Sequence, residues 1–330
     1  MVDVTHLRSW RDSWEGLHVT VIGLDDVGFA VCDTLQELGA RVTVVAEDPT
    51  SDHAAIVGVL GVQVREMDDL PDSPGDLIII SPSGEASTWN RAFCEGVPVW
   101  SDVEFASRVS DKRGVAPTVV LVAGGGDQVG IARMAVEFLR RAGLHTFWGG
   151  FQAGVVLDAL RDPEGWDVVV WVLNPSQVDR LGREVDTARA PQVVVCVDDE
   201  WDVTVEVLSE LFRNTQTYCV YRRGGNLTER AVEAAEVIEG ARAIGIGLDS
   251  PPVSDLGIVD GVVCDRAFLD DRRHTALELT TLEELATCGL SSAADVFAVL
   301  TASAIARSQG VDPETIGAVI ASWADLEFTD

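Results

Sequence analysis

Along the first third of the chain, short runs of β-branched and other apolar residues alternate with segments whose apolar positions recur at helical spacing. The runs predict strands at His18–Gly23, Arg41–Ala46, Val62–Arg65, Asp76–Ser81 and Val97–Trp100. Helices are predicted at Val27–Leu38 and near Ala54–Leu60, and a further segment near Asn90–Glu95 leads into the last strand. Strands separated by helices favour parallel pairing through right-handed crossovers. The pattern therefore predicts a Rossmann-like parallel sheet.

The pattern restarts after Asp111–Pro117, a stretch with the composition of a linker. A strongly apolar strand, a glycine run and a helix come first, followed by two clear strands, three weaker ones and two closing helices. These are Thr118–Ala123, Gly124–Gly126, Val129–Ala142, Asp167–Leu173, Gln192–Val197, Thr217–Tyr221, Arg242–Gly245, Gly257–Val263, Ser291–Gln309 and Pro313–Trp323. We expect an α/β protein of two domains: a Rossmann-like one at residues 1–112 and one with a P-loop-like sheet at residues 113–330.

Composition narrows the classes of function. Hydrophobic residues make up 47% of the 330 residues, which is enough to bury large cores. The 54 acidic residues outnumber the 24 basic ones, and the net charge of −30 counts against binding to nucleic acid. No apolar run is long enough for a membrane span, and the first residues lack the apolar core of a signal peptide. We expect a soluble cytoplasmic protein.

Two residue types limit the available chemistry. Lys112 is the single lysine of this sequence. A reaction that requires a buried lysine is therefore excluded unless Lys112 supplies it. The six cysteines are widely spaced, with no C-x-x-C pair. This spacing favours reduced, buried thiols over a zinc site or a disulfide framework.

The first glycine-containing turn between a predicted strand and helix is Gly23-Leu24-Asp25-Asp26-Val27-Gly28. A dinucleotide-binding fingerprint needs glycine at position 25, where the backbone approaches a diphosphate. Asp25 suits the positive end of a helix dipole but repels a phosphate. A capped structural turn is the first interpretation, and a degraded diphosphate site is the second.

The second turn, Gly124-Gly125-Gly126-Asp127-Gln128-Val129, lies where a P-loop would lie. A working P-loop has a lysine for the phosphates and a hydroxyl for magnesium. Gln128 and Val129 occupy those two positions, and Asp127 adds a negative charge. The acidic segment Asp198–Asp202 is interpreted first as a solvated loop and second as a cation site. The five histidines are scattered and indicate no site.

The order of these segments resembles the Mur ligase family of peptidoglycan synthesis, in the form seen in actinobacteria. The resemblance covers essentially the whole chain and is carried by stretches in both halves. They include Leu17–Val45, Asp76–Pro82, Val97–Phe105, Val119–Leu139, Ile238–Gly245 and Leu256–Phe268.

The resemblance also implies positions for the family's functional residues, and most of these residues are replaced. The UDP-sugar site would comprise Gly23, Asp25, Val27, Gly28 and Ser81, and the ATP loop would be residues 124–129. A magnesium-binding glutamate of the family falls at Val172, and the family's carbamylated lysine falls near Leu208 or Ser209. The asparagine of its G-N-x-G motif is missing at Gly149–Gln152, and its H-N pair appears as Ser291-Ser292. The family's third domain begins near the position where this sequence ends.

These replacements lead to the expectation of a catalytically inactive homologue with no cofactor, to which ATP and magnesium do not bind productively. Its expected role is that of a scaffold or regulator of precursor synthesis or cell division. The expected partner is a protein of those processes or a second copy of the chain. The alternatives are residual ATP-dependent ligation of a UDP-N-acetylmuramoyl precursor, or sensing of that UDP-sugar.

Overall fold

The computed structural model describes residues 3–71, 73–86, 95–124, 126–184 and 190–325. These residues form two compact units. The first unit contains the chain up to Pro117 together with Gly154–Gly165, and the second begins at Thr118. The return of Gly154–Gly165 to the first unit has no counterpart in the sequence pattern.

In the first unit a five-stranded parallel sheet has the order β3-β2-β1-β4-β5. Its strands are β1 (His18–Ile22), β2 (Arg41–Ala46), β3 (Gln63–Glu66), β4 (Leu77–Ile80) and β5 (Val99–Ser101). The described helices of this unit are α1 (Asp26–Glu37), α2 (Asp52–Val59), α3 (Pro82–Ala86) and α4 (Asp102–Val109). Because β1 pairs with both β2 and β4, the turns that follow β1 and β4 lie side by side.

In the second unit a nine-stranded sheet has the order β14-β13-β12-β11-β10-β9-β6-β8-β7. Its strands are β6 (Thr118–Ala123), β7 (Thr146–Gly150), β8 (Val168–Leu173), β9 (Val193–Cys196), β10 (Tyr218–Arg222), β11 (Arg242–Ile246), β12 (Leu256–Val259), β13 (Val262–Asp265) and β14 (Leu277–Thr281). Strands β6 to β12 pair in parallel, and β13 is antiparallel to both of its neighbours.

The helices of the second unit cover this sheet. They are α5 (Gln128–Arg141), α6 (Pro175–Glu184), α7 (Val205–Arg213), α8 (Thr228–Ala234), α9 (Leu282–Thr287), α10 (Ala293–Ser308) and α11 (Pro313–Ala321). One core lies where α5, α10 and α11 cover the sheet, and it includes Val122, Phe138, Val172 and Ile305. Strands buried on both faces read as continuous apolar runs, which is why β6, β8 and β9 are so apolar.

The predicted α/β fold is confirmed, with a parallel sheet in the first unit and a larger, mixed sheet in the second. One prediction was wrong: Gly257–Val263 is the hairpin of β12 and β13 rather than one strand. The chain reverses at Asp260 and Gly261, whose φ angles are +50° and +83°. An Asp-Gly pair with two positive φ angles is the signature of a two-residue hairpin turn. The segment predicted near Asn90–Glu95 lies almost entirely outside the described residues.

Within the described ranges, no helix combines the length and the apolar character that crossing a membrane requires.

Candidate functional site

The glycine loop of the second unit joins β6 to α5 at the carboxyl end of the parallel strands. Gly124 and Gly126 lie beside the Asp198 side chain, and Gly125 lies outside the described residues. Asp127 caps α5 and accepts a hydrogen bond from the Gly130 N–H at 2.9 Å. The loop therefore has the predicted position, and a carboxylate already occupies one amide of the helix N-terminus.

Gln128, at the position of the P-loop lysine, is buried, with 6% of the residue exposed. Its Nε2 donates to the carbonyl oxygen of Leu173, at the end of β8, over 3.4 Å. Its Oε1 is buried and has no hydrogen-bond partner among the residues that the structure describes. A buried acceptor without a partner costs about 1–3 kcal/mol. Val129, at the hydroxyl position, is half-buried and packs against the core.

A cavity of about 320 Å³ opens at this loop. Its polar lining includes Asp127, Gln128, Asp198 and Arg222. Its apolar walls come from Ile131 of α5, Leu248 and the start of α10, where Ala294 and Phe297 contribute. In sheets of this kind, ligands bind at the carboxyl ends of the strands, and pockets of this size hold small molecules. The cavity is therefore the candidate ligand site.

Arg222, the last residue of β10, is the basic residue that lines this cavity. Its guanidinium lies 5.0 Å from the centre of the Phe297 ring, a cation–π contact that holds the charge at the cavity wall. In the described part of the chain it forms no ion pair within 4.0 Å. Sequence reasoning missed Arg222, although its place at the end of a predicted parallel strand was a usable signal.

The acidic segment that follows β9 has a structural role. Both carboxylate oxygens of Asp199 accept backbone hydrogen bonds, from Asn226 at 2.8 Å and from Leu227 and Thr228 at 3.1 Å. Asp198 accepts from the Glu200 N–H at 2.9 Å. Across the described ranges, no cluster of three His, Cys, Asp or Glu side chains is placed to hold a metal ion. Asp199 is therefore bound by neighbouring backbone amides, a role that the interpretation of a solvated loop did not include.

The positions that the sequence resemblance assigns to the family's metal ligands are buried in this chain. Val172 lies on β8 with 0% exposure and belongs to the core under α5 and α10. Leu208 and Ser209 are buried on α7, where the Ser209 hydroxyl donates to the carbonyl of Glu206 at 2.9 Å.

The pair Ser291-Ser292, at the position that the resemblance assigns to the family's H-N pair, is exposed. Ser292 caps α10 through a reciprocal capping box with Asp295.

The candidate UDP-sugar turn of the first unit is organised around Asp25. Its Oδ1 accepts from the Gly28 N–H at 2.8 Å, and its Oδ2 accepts from the Ser83 N–H at 3.0 Å. It thereby ties the turn after β1 to the turn after β4. The carboxylate occupies two amides that could otherwise face an anion, as the interpretation of a capped structural turn predicts.

The other predicted residues of this turn lie close together. A Cβ atom added to Gly28 would lie 2.2 Å from the carbonyl oxygen of Gly23, so a side chain does not fit. The Ser81 hydroxyl is buried and lies 3.1 Å from that of Ser83. Val27 is half-buried in the first turn of α1.

The chain is similar over 96% of its length to ligases of two actinobacteria. It is 40% identical to the UDP-N-acetylmuramoylalanine–D-glutamate ligase of Leifsonia xyli and 34% identical to that of Tropheryma whipplei. It spans 66% and 68% of the lengths of these relatives. A search against models of protein families found no match.

Solved structures show the same fold. The UDP-N-acetylmuramate:L-alanyl-γ-D-glutamyl-meso-diaminopimelate ligase of Neisseria meningitides matches with a TM-score of 0.56 and 15% identity, over 95% of this chain and all of that one. At this level of identity the structure shows that the two proteins share a fold.

Two expectations from the sequence are contradicted. The chain was expected to be inactive, but its relatives are named as ligases and nothing among them indicates a loss of activity. The expectation that it uses no cofactor is contradicted by the same relatives. The described part of the glycine loop supplies no cation, whereas the fold brings Arg222 to the same cavity. The chain belongs to the Mur ligase family and resembles its actinobacterial UDP-N-acetylmuramoylalanine–D-glutamate ligases.

Proposed function

We propose that the chain takes part in an ATP-dependent ligation that joins D-glutamate to UDP-N-acetylmuramoylalanine, the reaction for which its relatives are named. The observation that carries this proposal is the cavity at the glycine loop, at the carboxyl ends of β6, β9 and β10. In the reaction an amide forms between a carboxylate and an amine. ATP is converted to ADP and phosphate, and the amine releases a proton.

The cavity suits the nucleoside part of ATP. Ile131, Leu248 and Phe297 offer apolar and aromatic walls, as nucleobase sites do. A cavity of about 320 Å³ is at the small end of the range for such sites, so the phosphates would extend along the loop. The base and ribose are therefore the parts of the ligand that the described walls fit best.

The phosphate end depends on Arg222. A guanidinium can pair with two phosphate oxygens at once, which makes arginine a suitable replacement for a loop lysine in binding. Two carboxylates, Asp127 and Asp198, lie on the same lining and oppose this attraction. We therefore expect weaker ATP binding and slower turnover than a loop with lysine would give.

The test is phosphate release by the full chain with ATP–magnesium, UDP-N-acetylmuramoylalanine and D-glutamate, followed by mass analysis of the product. We expect slow formation of the amide that depends on all three substrates. Calorimetry measures ATP binding in parallel. The proposal fails if ATP at millimolar concentration does not bind and no phosphate is released.

A further inference from the structure

A second cavity of about 550 Å³ lies at the amino ends of strands β10 and β11 in the nine-stranded sheet, whereas the glycine loop lies at the carboxyl ends of the strands. Tyr218 and Arg242, which are register partners at the amino ends of β10 and β11, form one side. Arg307, near the end of α10, and the residues Phe268–Arg273 complete it. Four arginines line this cavity in a protein whose net charge is −30, so the local charge is opposite to the overall charge.

The segment 266–273, named here the arginine loop, is held by hydrogen bonds from arginines to carbonyl oxygens. Arg307 donates to the Phe268 carbonyl at 2.7 Å, and Arg242 donates to the Ala267 carbonyl. Arg266 donates to the carbonyls of Arg272 and Arg273 at 3.4 and 3.3 Å. These bonds fix the loop backbone, so its side chains are presented from a defined position.

The positive charge at this cavity is only partly neutralised. Arg307 is paired with buried Asp265, but Arg272 and Arg273 form no ion pair within 4.0 Å with any residue that the structure describes. Burial, and then the nearby charge of Arg272, lower the pKa of Arg242. Two carboxylates line the cavity, Asp270 and Asp271, and Asp271 contacts His274 at 2.7 Å. Positively charged guanidinium groups that are held close together repel one another, and a bound anion relieves that repulsion.

Aromatic residues define the shape of the cavity. The rings of Tyr218 and Phe268 meet edge to face, with centroids 5.1 Å apart. The guanidinium of Arg242 lies 5.7 Å from the centre of the Tyr218 ring. A ring contact and a carbonyl bond together restrict this side chain before any ligand binds, which reduces the entropic cost of binding.

We propose that this cavity binds a small phosphate-bearing anion, contacted by Arg242, Arg272 and Arg273. The planar guanidinium group matches the oxygens of phosphate, and several such groups around one cavity favour a ligand with more than one negative charge. The site is separate from the nucleotide cavity, which lies at the carboxyl ends of the strands, and does not depend on the proposed ligase activity.

The test is calorimetric titration of the full chain with inorganic pyrophosphate at low ionic strength. We expect saturable binding that the double variant Arg272→Gln/Arg273→Gln weakens by at least about tenfold. Arg230→Gln/Arg213→Gln removes two charges from arginines of the same unit that do not line the cavity, and should leave the affinity within about twofold. Circular dichroism and melting temperature show that each variant is folded.

Three results would overturn the proposal. The first is that the wild-type chain does not bind pyrophosphate. The second is an affinity that the loss of Arg272 and Arg273 leaves unchanged. The third is binding abolished by Arg222→Ala but not by the arginine-loop variant, because the anion would then occupy the cavity at the glycine loop.

Discussion

Arg307 of α10 donates from Nε to the Oδ2 of Asp265 at the end of β13, over 2.8 Å. The Asp265 side chain has 0% exposure and that of Arg307 has 9%. The other carboxylate oxygen accepts from the N–H groups of Ala267 and Phe268 at 2.7 and 2.9 Å. The pair therefore joins the long helix to the sheet and to the start of the arginine loop.

Removing one partner of this pair should leave an uncompensated buried charge. We expect Arg307→Met to lower the free energy of unfolding by about 3–5 kcal/mol, measured by urea denaturation. Arg213→Met is the matched control, because its pair with Glu210 is exposed by about 40% on each side chain and should contribute less than ~1 kcal/mol. Equal losses in the two variants would contradict the importance of burial.

Restoring a lysine to the glycine loop should improve nucleotide binding. Gln128→Lys places a positive charge where the family's loop has one, and we expect the ATP dissociation constant to fall by about tenfold, or ~1.4 kcal/mol. Gln128→Met is the control, since it has similar length and no charge. Calorimetry decides: an ATP affinity that is the same in both variants would show that this position does not face the phosphates.

Arg222 should contribute to the binding of the phosphates of ATP and not to the binding of its nucleoside. We expect Arg222→Ala to raise the dissociation constant of ATP by about tenfold while that of adenosine changes little. Arg222→Lys should recover part of the loss, because it keeps the charge. Arg230→Ala removes an exposed arginine that does not line the cavity and serves as the control. A parallel loss for ATP and adenosine would indicate that Arg222 shapes the cavity instead.

Neutralising Asp25 should favour an anion at the first unit's turn. Asp25→Asn keeps an oxygen that can cap α1 and removes the charge, so we expect stronger binding of UDP in calorimetry with little loss of stability. Asp26→Asn is the control, because its side chain is 83% exposed and contacts His53 rather than the loop amides. Similar gains in both variants would mean that general charge, and not occupancy of the two amides, limits binding.

The carboxylate of Glu284, in the first turn of α9, should make the stability of the fold depend on pH under acidic conditions. Hydrogen bonds from the Thr280 hydroxyl and the Thr281 N–H lower the pKa of Glu284 from its ordinary value of 4.5. The folded state then binds this proton less readily than the unfolded chain does. The stabilisation is present above pH 4.5 and is lost as the pH falls through the lowered value.

The variant Glu284→Gln keeps the capping geometry and has no proton to gain. We expect its melting temperature to fall less than that of the wild type between about pH 5 and pH 3. Glu283→Gln, a neighbouring exposed position outside the capping box, should follow the wild-type profile. An unchanged profile for Glu284→Gln would show that the capping bond does not control acid stability.

Much of the fold was predictable because the parallel strands are buried on both faces, and such strands appear in the sequence as continuous apolar runs. Thr118–Ala123 and Asp167–Leu173 correspond closely to β6 and β8. The strand β7 was missed since Thr146–Gly150 contains two glycines and looks like loop. The β14 strand was missed too, because its alternation over Leu277–Thr281 is short. Local composition carries little information about such edge strands.

The site was less predictable than the fold. The glycine loop was placed correctly because a strand, glycines and a helix are adjacent in sequence. Arg222 is distant in sequence from that loop and reaches the cavity only through the strand order β10-β9-β6. Comparison of motif positions along the sequence therefore left out a cation that the fold brings to the cavity. The protein partner and the second copy of the chain remain predictions.

The return of Gly154–Gly165 to the first unit affects the order in which the protein can fold. Arg161 pairs with Asp33 at 3.1 Å, and Arg113 donates to the Asp162 carbonyl at 2.9 Å. On the ribosome, a nascent chain released only up to Pro117 lacks these partners. The first unit is therefore completed after β6, α5 and β7 have already emerged, so its final closure waits until Gly165 has been synthesised.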